Sequence, residues 1–221
     1  MRSWESRRPD CRRRGASVAA DILQSLSDVS VVSKHPELAN AGILLQGMST
    51  GACYVDRIVP EIFNRIIGFI SMKSGCAGSF ASGSGALSVP GYLFIGDQDS
   101  PEINVPVTNN FEQNRARGAV WAFAVEHGAG HIWVSNQPLI FNWAGAVAAQ
   151  RLPETVTPGT PVQLRPVSES AGWLGDRTSL LIGGYPCFTG NRTNASWLPG
   201  ESTARDWQVM MGSARTVLVC Q

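Results

Sequence analysis

Four short apolar runs, alternating with segments of helical periodicity, constrain the fold of this chain more than any other feature. The runs span 42–46, 66–70, 90–95 and 119–125, and the segments with helical character span 16–28, 52–63, 109–117 and 139–150. Strands of four to seven residues that alternate with helices are typical of an α/β domain. The spacing predicts an α/β fold, with a mostly parallel sheet and flanking helices, over residues 16–150.

The two ends of the chain differ in composition from this central part. Residues 1–14 contain six arginines and few apolar side chains, so 1–15 is predicted to be a basic disordered tail. This stretch lacks the apolar core of about 7–15 residues that a secretory leader carries. Residues 151–221 are rich in Pro, Thr and Ser, and we predict a C-terminal extension packed on the core, with a last helix over 202–211.

Composition narrows the possible partners. The chain has 221 residues and a formal net charge of +1, so bulk electrostatics do not favour a nucleic acid or an anionic membrane. No run approaches the roughly 18 apolar residues of a membrane span. We therefore expect no nucleic-acid partner and no membrane span.

The cysteines indicate neither a metal site nor a redox motif. There are five of them, without C-x-x-C spacing: Cys11, Cys53, Cys76, Cys187 and Cys220. The number allows one or two disulfides and leaves at least one cysteine unpaired or shared between chains. No metal or organic cofactor is indicated by the sequence.

The first apolar run ends in the pentapeptide GMSTG, centred on Ser49. A strand, a sharp turn with the pattern G-x-S-x-G and a helix form a nucleophile elbow, which holds a serine hydroxyl above a parallel sheet. Glycines suit such a turn because side chains at Gly47 and Gly51 are expected to collide with the neighbouring strand and helix. The pattern predicts Ser49 as a nucleophile.

An acid and a histidine follow Ser49 at the ends of later strands. Asp99 follows the third run and His131 follows the fourth, and in an open α/β sheet the carboxyl ends of strands gather functional groups. In a Ser-His-Asp triad, His131 would take the proton of Ser49 and later protonate the leaving alcohol, while Asp99 would orient the imidazole. The order Ser, Asp, His is that of α/β-hydrolases.

Neighbouring residues leave two choices open. Asp97 also follows the third strand, although Asp99 fits the G-x-x-D placement better. His127 lies in the same loop as His131, which follows a G-x-G segment that could bend it toward the serine. The remaining histidine, His35, precedes a proline in a connecting loop and is expected to be exposed.

Together these motifs resemble an α/β-hydrolase-fold serine esterase of the poly(3-hydroxybutyrate) depolymerase and feruloyl-esterase-like group. The resemblance is carried by GMSTG at Ser49, GDQD ending at Asp99, HGAGH ending at His131 and the segment HPELANAGILLQGMSTGA. Weaker similarity lies in GWLGD at 172–176 and ASWLP at 195–199, so that it extends over about 16–211. It implies hydrolysis of a small-molecule or polymeric carboxylic ester through an acyl-enzyme, without a cofactor.

The resemblance also implies a departure from the family pattern. Family members carry several strands before the elbow, whereas 41 residues precede Gly42 here, so the fold is expected to be N-terminally truncated. An oxyanion hole takes one N–H from the residue after the nucleophile, here Thr50, and one from a loop after an earlier strand. Loss of the second donor would cost about 10²–10³ in turnover, roughly 3–4 kcal/mol.

This departure leaves a second functional hypothesis. The chain is either an esterase, impaired by the missing region, or a hydrolase-like fragment that serves as a binding or assembly module. The edge of the elbow strand that the missing strands would leave open could allow self-association. Three tryptophans either line a carbohydrate or polyester surface or pack in the core: Trp133, Trp143 and Trp173. Secretion or a periplasmic location is expected if an apolar leader precedes Met1, and a cytoplasmic location otherwise.

Overall fold

A computed structural model describes residues 15–76, 85–157 and 159–212. Five helices are described: α1 (Gly15–Ser33), α2 (Thr50–Ile58), α3 (Pro101–Arg115), α4 (Gln137–Arg151) and α5 (Glu201–Met210). Seven strands are described: β1 (Ile43–Met48), β2 (Ile66–Met72), β3 (Gly91–Gly96), β4 (Trp121–Glu126), β5 (Trp173–Gly175), β6 (Ile182–Gly184) and β7 (Ser196–Leu198). The predicted basic tail lies outside the described residues, apart from Gly15 at the start of α1.

The main sheet has four parallel strands in the order β1-β2-β3-β4. Helix α2 connects β1 to β2, and α3 connects β3 to β4. This confirms an α/β arrangement with a parallel sheet flanked by helices. Because the strands are parallel, their carboxyl ends lie at one edge of the sheet, and the loops after β1, β3 and β4 meet there.

The sheet is covered on both faces, which explains why its strands are nearly continuous apolar runs. All seven residues of β2 are buried. Alternate side chains enter two separate cores, since successive residues of a strand point to opposite faces. Ile70 and Phe94 pack with residues of α4 and α5, whereas Phe69 and Phe123 pack with residues of α1, α2 and α3.

The predicted helices are present, but several of their boundaries differ. The first helix continues from 28 to Ser33, and the helix after the elbow ends at Ile58 rather than at 63. Helix α3 begins at Pro101, well before the predicted 109, because a proline suits the first turn of a helix, where no N–H partner is needed. Its polar composition hides this start from a search for apolar periodicity.

A second sheet, which the sequence did not predict, lies in the C-terminal region. It is antiparallel, with the order β6-β5-β7, and each strand has only three residues. The region packs against β4: the Ser196 hydroxyl contacts both the N–H and the carbonyl of Phe123, and the Trp207 indole donates to the same carbonyl. The outer edge of β4 is therefore covered by residues of the C-terminal region.

All three cysteines in the described part of the chain are disulfide-bonded. Cys53 in α2 is bonded to Cys76 beyond β2, and Cys187 is also disulfide-bonded. The first of these bonds connects the helix after the elbow to the segment that follows β2.

Within the described residues, none of the helices is long and apolar enough to cross a membrane.

Candidate active site

The turn at Ser49 has the backbone geometry that the pentapeptide predicted. Strand β1 ends at Met48, α2 begins at Thr50, and Ser49 between them has φ 56° and ψ −121°. A positive φ is uncommon for a residue with a side chain and is characteristic of strained functional turns. The Ser49 N–H donates to the Met72 carbonyl at 2.9 Å, and its carbonyl accepts from the Cys53 N–H at 3.1 Å. These two bonds attach the turn to β2 on one side and to α2 on the other.

Of the two glycines in the pentapeptide, only Gly47 requires the absence of a side chain. A Cβ at Gly47 would clash with the backbone carbonyl of Gly51. The expectation for Gly51 was wrong, because a Cβ there meets no atom within 4 Å. Gly51 lies in the first turn of α2, where it faces outward and is exposed.

Alanine substitutions at these two glycines should therefore have opposite effects. Gly47→Ala is expected to lower the free energy of unfolding by about 1–3 kcal/mol because the backbone must move to accept the methyl group. Gly51→Ala, the matched control, should leave it unchanged or raise it by up to about 1 kcal/mol. Urea unfolding followed by circular dichroism measures both, and equal losses of stability would contradict this account of the turn.

Asp99 is held by its own loop after β3. Its Oδ1 accepts the N–H of Ser100 at 2.8 Å, and the Asn104 amide donates to the carbonyls of Gly96 and Asp99 at 2.7 and 3.2 Å. The Asp99 side chain is only 5% exposed. Its second oxygen, Oδ2, is thereby directed at the loop after β4.

His131 lies in that loop and contacts both other residues of the predicted triad. Its Nδ1 lies 2.7 Å from Oδ2 of Asp99, and its Nε2 lies 2.7 Å from Oγ of Ser49. With the ring proton on Nδ1, the imidazole donates to Asp99 and accepts the hydroxyl proton of Ser49. Its side chain is 37% exposed, so the site is open to small molecules from solvent.

The alternatives Asp97 and His127 form a separate pair. Nδ1 of His127 lies 3.0 Å from Oδ2 of Asp97, and both side chains are exposed. The pKa of Asp97 is lowered, chiefly by the hydrogen bond with His127 and further by the N–H of Gly128.

His35 is exposed, as expected, and its ring contacts Glu37 at 2.8 Å.

The three tryptophans that were candidates for a binding surface have different environments. Trp143 is buried in the core between the sheet, α4 and α5. Trp173 is partly buried and packs against the same core, whereas Trp133, two residues after His131, is 55% exposed. Only Trp133 is therefore available to a ligand near the site.

Thr50, the predicted oxyanion donor, is the first residue of α2. The N–H groups of the first helical turn have no acceptor within the helix, so they are suited to bind a developing negative charge. Its role in an oxyanion hole stays a prediction.

Charged residues beneath the site were missed by the sequence reasoning. Lys73 directly follows β2, is fully buried, and pairs with Glu126 at the end of β4 at 2.9 Å. Asp56 in α2 is buried and accepts the Ser74 hydroxyl at 2.7 Å, and burial raises its pKa to about 6. A signal existed: a charged residue at the carboxyl end of a buried strand is costly unless it has a partner.

A cavity in the described part of the protein is remote from these residues. It has a volume of about 370 Å³ and is lined by residues that include Gly42, Ile67 and Val162. Gly42 precedes β1 and Ile67 lies at the start of β2, so the cavity is at the amino ends of the strands. The candidate site is at their carboxyl ends, and the cavity is not part of it.

Comparison of the chain with protein-family models, with curated proteins and with solved structures gives no match. The resemblance to α/β-hydrolase esterases thus stays a prediction from sequence motifs. Any functional inference has to come from the residues themselves and from their geometry.

Proposed function

We propose that this protein is a carboxylic-ester hydrolase that acts through Ser49, His131 and Asp99. The observation that carries the proposal is the continuous pair of hydrogen bonds, each 2.7 Å long, from Asp99 through His131 to Ser49. Three residues from three different strand ends meet in the arrangement that activates a serine for nucleophilic attack. The strained turn at Ser49 gives independent support, because it exposes the hydroxyl between strand and helix.

The geometry supports a two-stage reaction. In the first stage, Oγ of Ser49 attacks the ester carbonyl carbon while Nε2 of His131 takes the hydroxyl proton, and Asp99 stabilises the resulting imidazolium. In this proposal the Thr50 N–H would donate to the oxyanion. His131 then returns the proton to the leaving alcohol, and an acyl-enzyme remains on Ser49. In the second stage, water attacks the acyl carbon while His131 takes one of its protons; the bond to Oγ of Ser49 then breaks, His131 returns the proton to Oγ, and a carboxylic acid is released.

The finer assignment of the fold belongs to the same proposal. A parallel sheet, an elbow after β1, and an acid and a histidine after β3 and β4 follow the chain order of the α/β-hydrolase fold. The substrate class that this implies is a small-molecule or polymeric ester. The exposed Trp133, two residues after His131 in the same loop, would be available to an apolar group of that ester.

A fluorophosphonate probe tests the proposal directly, because it phosphonylates a serine hydroxyl only when a neighbouring base activates it. We expect one adduct per chain, mapped to Ser49 by peptide mass spectrometry, and no adduct in Ser49→Ala. Wild-type protein unfolded in urea is the control and should not react, because His131 is then no longer beside the serine. An unlabelled folded protein would overturn the esterase and favour the hydrolase-like binding or assembly module.

A further inference from the structure

A buried ion pair lies beneath the loop that carries His131. The Lys73 side chain is fully buried and that of Glu126 is 8% exposed, with Nζ 2.9 Å from Oε2. Lys73 follows β2 and Glu126 ends β4, so the pair joins two non-adjacent strands of the sheet at its carboxyl edge. Removing two charges from water is expensive, and the expense is offset only where further hydrogen bonds satisfy them.

Those further bonds go to the residues that follow His131. Nζ of Lys73 donates to the carbonyl of Ile132 at 2.7 Å, directly after the histidine. The other carboxylate oxygen of Glu126, Oε1, accepts hydrogen bonds from both the N–H and the hydroxyl of Ser135, each at 2.7 Å. The ion pair therefore holds the segment 132–135 at both of its ends.

The electrostatics favour an ionised Glu126. Burial is the largest single influence and would by itself raise the pKa of this carboxyl, but the hydrogen bonds from the Ser135 N–H, from Lys73 and from the Ser135 hydroxyl, together with the charge of Lys73, outweigh it. The net result is a lowered pKa. Hydrogen bonds to an ionised acceptor are stronger and shorter than neutral ones, so the anchor of the loop is a rigid one.

The residues that precede His131 are held separately. The carbonyl of Ala129 accepts the N–H of Gln98 at 3.0 Å, in the loop that carries Asp99. The Ile132 N–H donates to the carbonyl of Gly130 at 2.9 Å, which makes His131 the central residue of a tight turn. The imidazole is thus presented from a turn whose far side is fixed by Lys73 and Glu126.

We propose that Lys73 and Glu126 are positioning residues that hold the imidazole of His131 between Ser49 and Asp99, an inference that rests on the proposed esterase function. Neither side chain is available to a substrate, because both are buried and bonded to each other and to the loop. A partly exposed histidine on a loop keeps its distance to the nucleophile only while the loop is fixed. Displacement of a catalytic group by about 1 Å can lower the rate about a hundred-fold.

The test uses a variant that removes both charges together, Lys73→Met/Glu126→Gln, so that no unpaired charge remains buried. We expect kcat for a p-nitrophenyl ester to fall by about ten- to a hundred-fold, with KM changed by less than about three-fold, in protein that still unfolds cooperatively. Ser135→Ala keeps the ion pair and removes only the hydroxyl contact, so it should fold normally and show a smaller fall in kcat. Equal kcat in wild type and both variants would overturn the inference.

Glu169→Gln is the matched control. It opens another ion pair with a buried arginine, in which Arg115 contacts Glu169 at 2.6 Å, but it lies in the C-terminal region and makes no contact with His131. We expect Glu169→Gln to lose about as much thermal stability as Lys73→Met/Glu126→Gln does, but with kcat unchanged. A comparable fall of kcat in this control would overturn the inference, because general loosening would then explain the effect.

The imidazole resonances of His131 provide a readout that does not depend on turnover. The chain has only three histidines, so ¹H–¹⁵N spectra can be assigned by substituting His35 and His127. In wild type, the Nδ1 proton should resonate far downfield because it is bonded to Asp99, and this signal should broaden or disappear in Lys73→Met/Glu126→Gln. An unchanged signal would overturn the positioning role. A lost signal together with an inert wild type would overturn the esterase proposal alone.

Discussion

His131→Ala is expected to lower kcat for a p-nitrophenyl ester by about 10⁴–10⁶-fold, because Ser49 then has no base within hydrogen-bond distance. The imidazole nitrogen is the group that contacts Oγ of Ser49, at 2.7 Å, and in the proposed reaction it would move the proton in both stages. Steady-state kinetics on purified protein, with the rate of fluorophosphonate labelling alongside, measure the effect. Secondary structure and thermal unfolding should be close to wild type, since the side chain is partly exposed.

His127→Ala is the control for this substitution. It removes the other histidine of the same loop, which is exposed and paired with Asp97 rather than with Ser49. Its kcat should stay within about three-fold of wild type, since a surface substitution of this kind usually has a small effect. If His127→Ala were the inactive variant and His131→Ala the active one, the assignment of the base would be wrong.

Asp99→Asn is expected to lower kcat by about 10³–10⁴-fold while leaving the fold intact. An amide at position 99 can donate its N–H to Nδ1 of His131, which would place the ring proton on Nε2 and leave no acceptor for the Ser49 hydroxyl. The substitution also removes the negative charge that stabilises the imidazolium. The effect should be on kcat more than on KM, because Asp99 is almost fully buried and contacts the histidine rather than the substrate.

The neighbouring acid supplies the comparison. Asp97→Asn changes an exposed carboxyl that bonds to His127 and to the N–H of Gly128. A small loss of stability and nearly unchanged kcat are expected, measured under the same conditions. Equal losses of kcat in Asp97→Asn and Asp99→Asn would contradict the distinction between the two Asp–His pairs.

The main sheet could be predicted from the sequence because three of its four strands, β2 to β4, are buried on both faces, and the partly exposed edge strand β1 is also mostly apolar. Such strands are continuous apolar runs. Because a helix connects one strand to the next, neighbouring strands are expected to run parallel. The second sheet could not be predicted in this way. Its strands, such as β5 (Trp173–Gly175), are three residues long, and too few residues alternate for a period of two to be recognised.

The candidate site was predictable to the level of residue type and chain order. Ser49 was indicated by its glycines, and Asp99 and His131 by their positions after strands. The sequence left Asp97 and His127 as alternatives, since two acids separated by one residue both follow β3 and only the backbone geometry decides which of them contacts the histidine beside Ser49. Lys73 and Glu126 each carry a local signal, a charge at the end of a buried strand, but their pairing spans 53 positions of the chain and no local pattern identifies the partner.

The hydrogen bonds of the site also connect chemical reactivity to the completion of folding. The base is 82 positions from the nucleophile, and the acid is 32 positions from the base. Contacts of this separation form late, after the entropy of closing long loops has been overcome. Until β1, β3 and β4 have all paired in register, Ser49 is an ordinary alcohol. If the proposed function holds, a nascent or partly unfolded chain carries no activated serine, and reactivity appears only with the completed sheet.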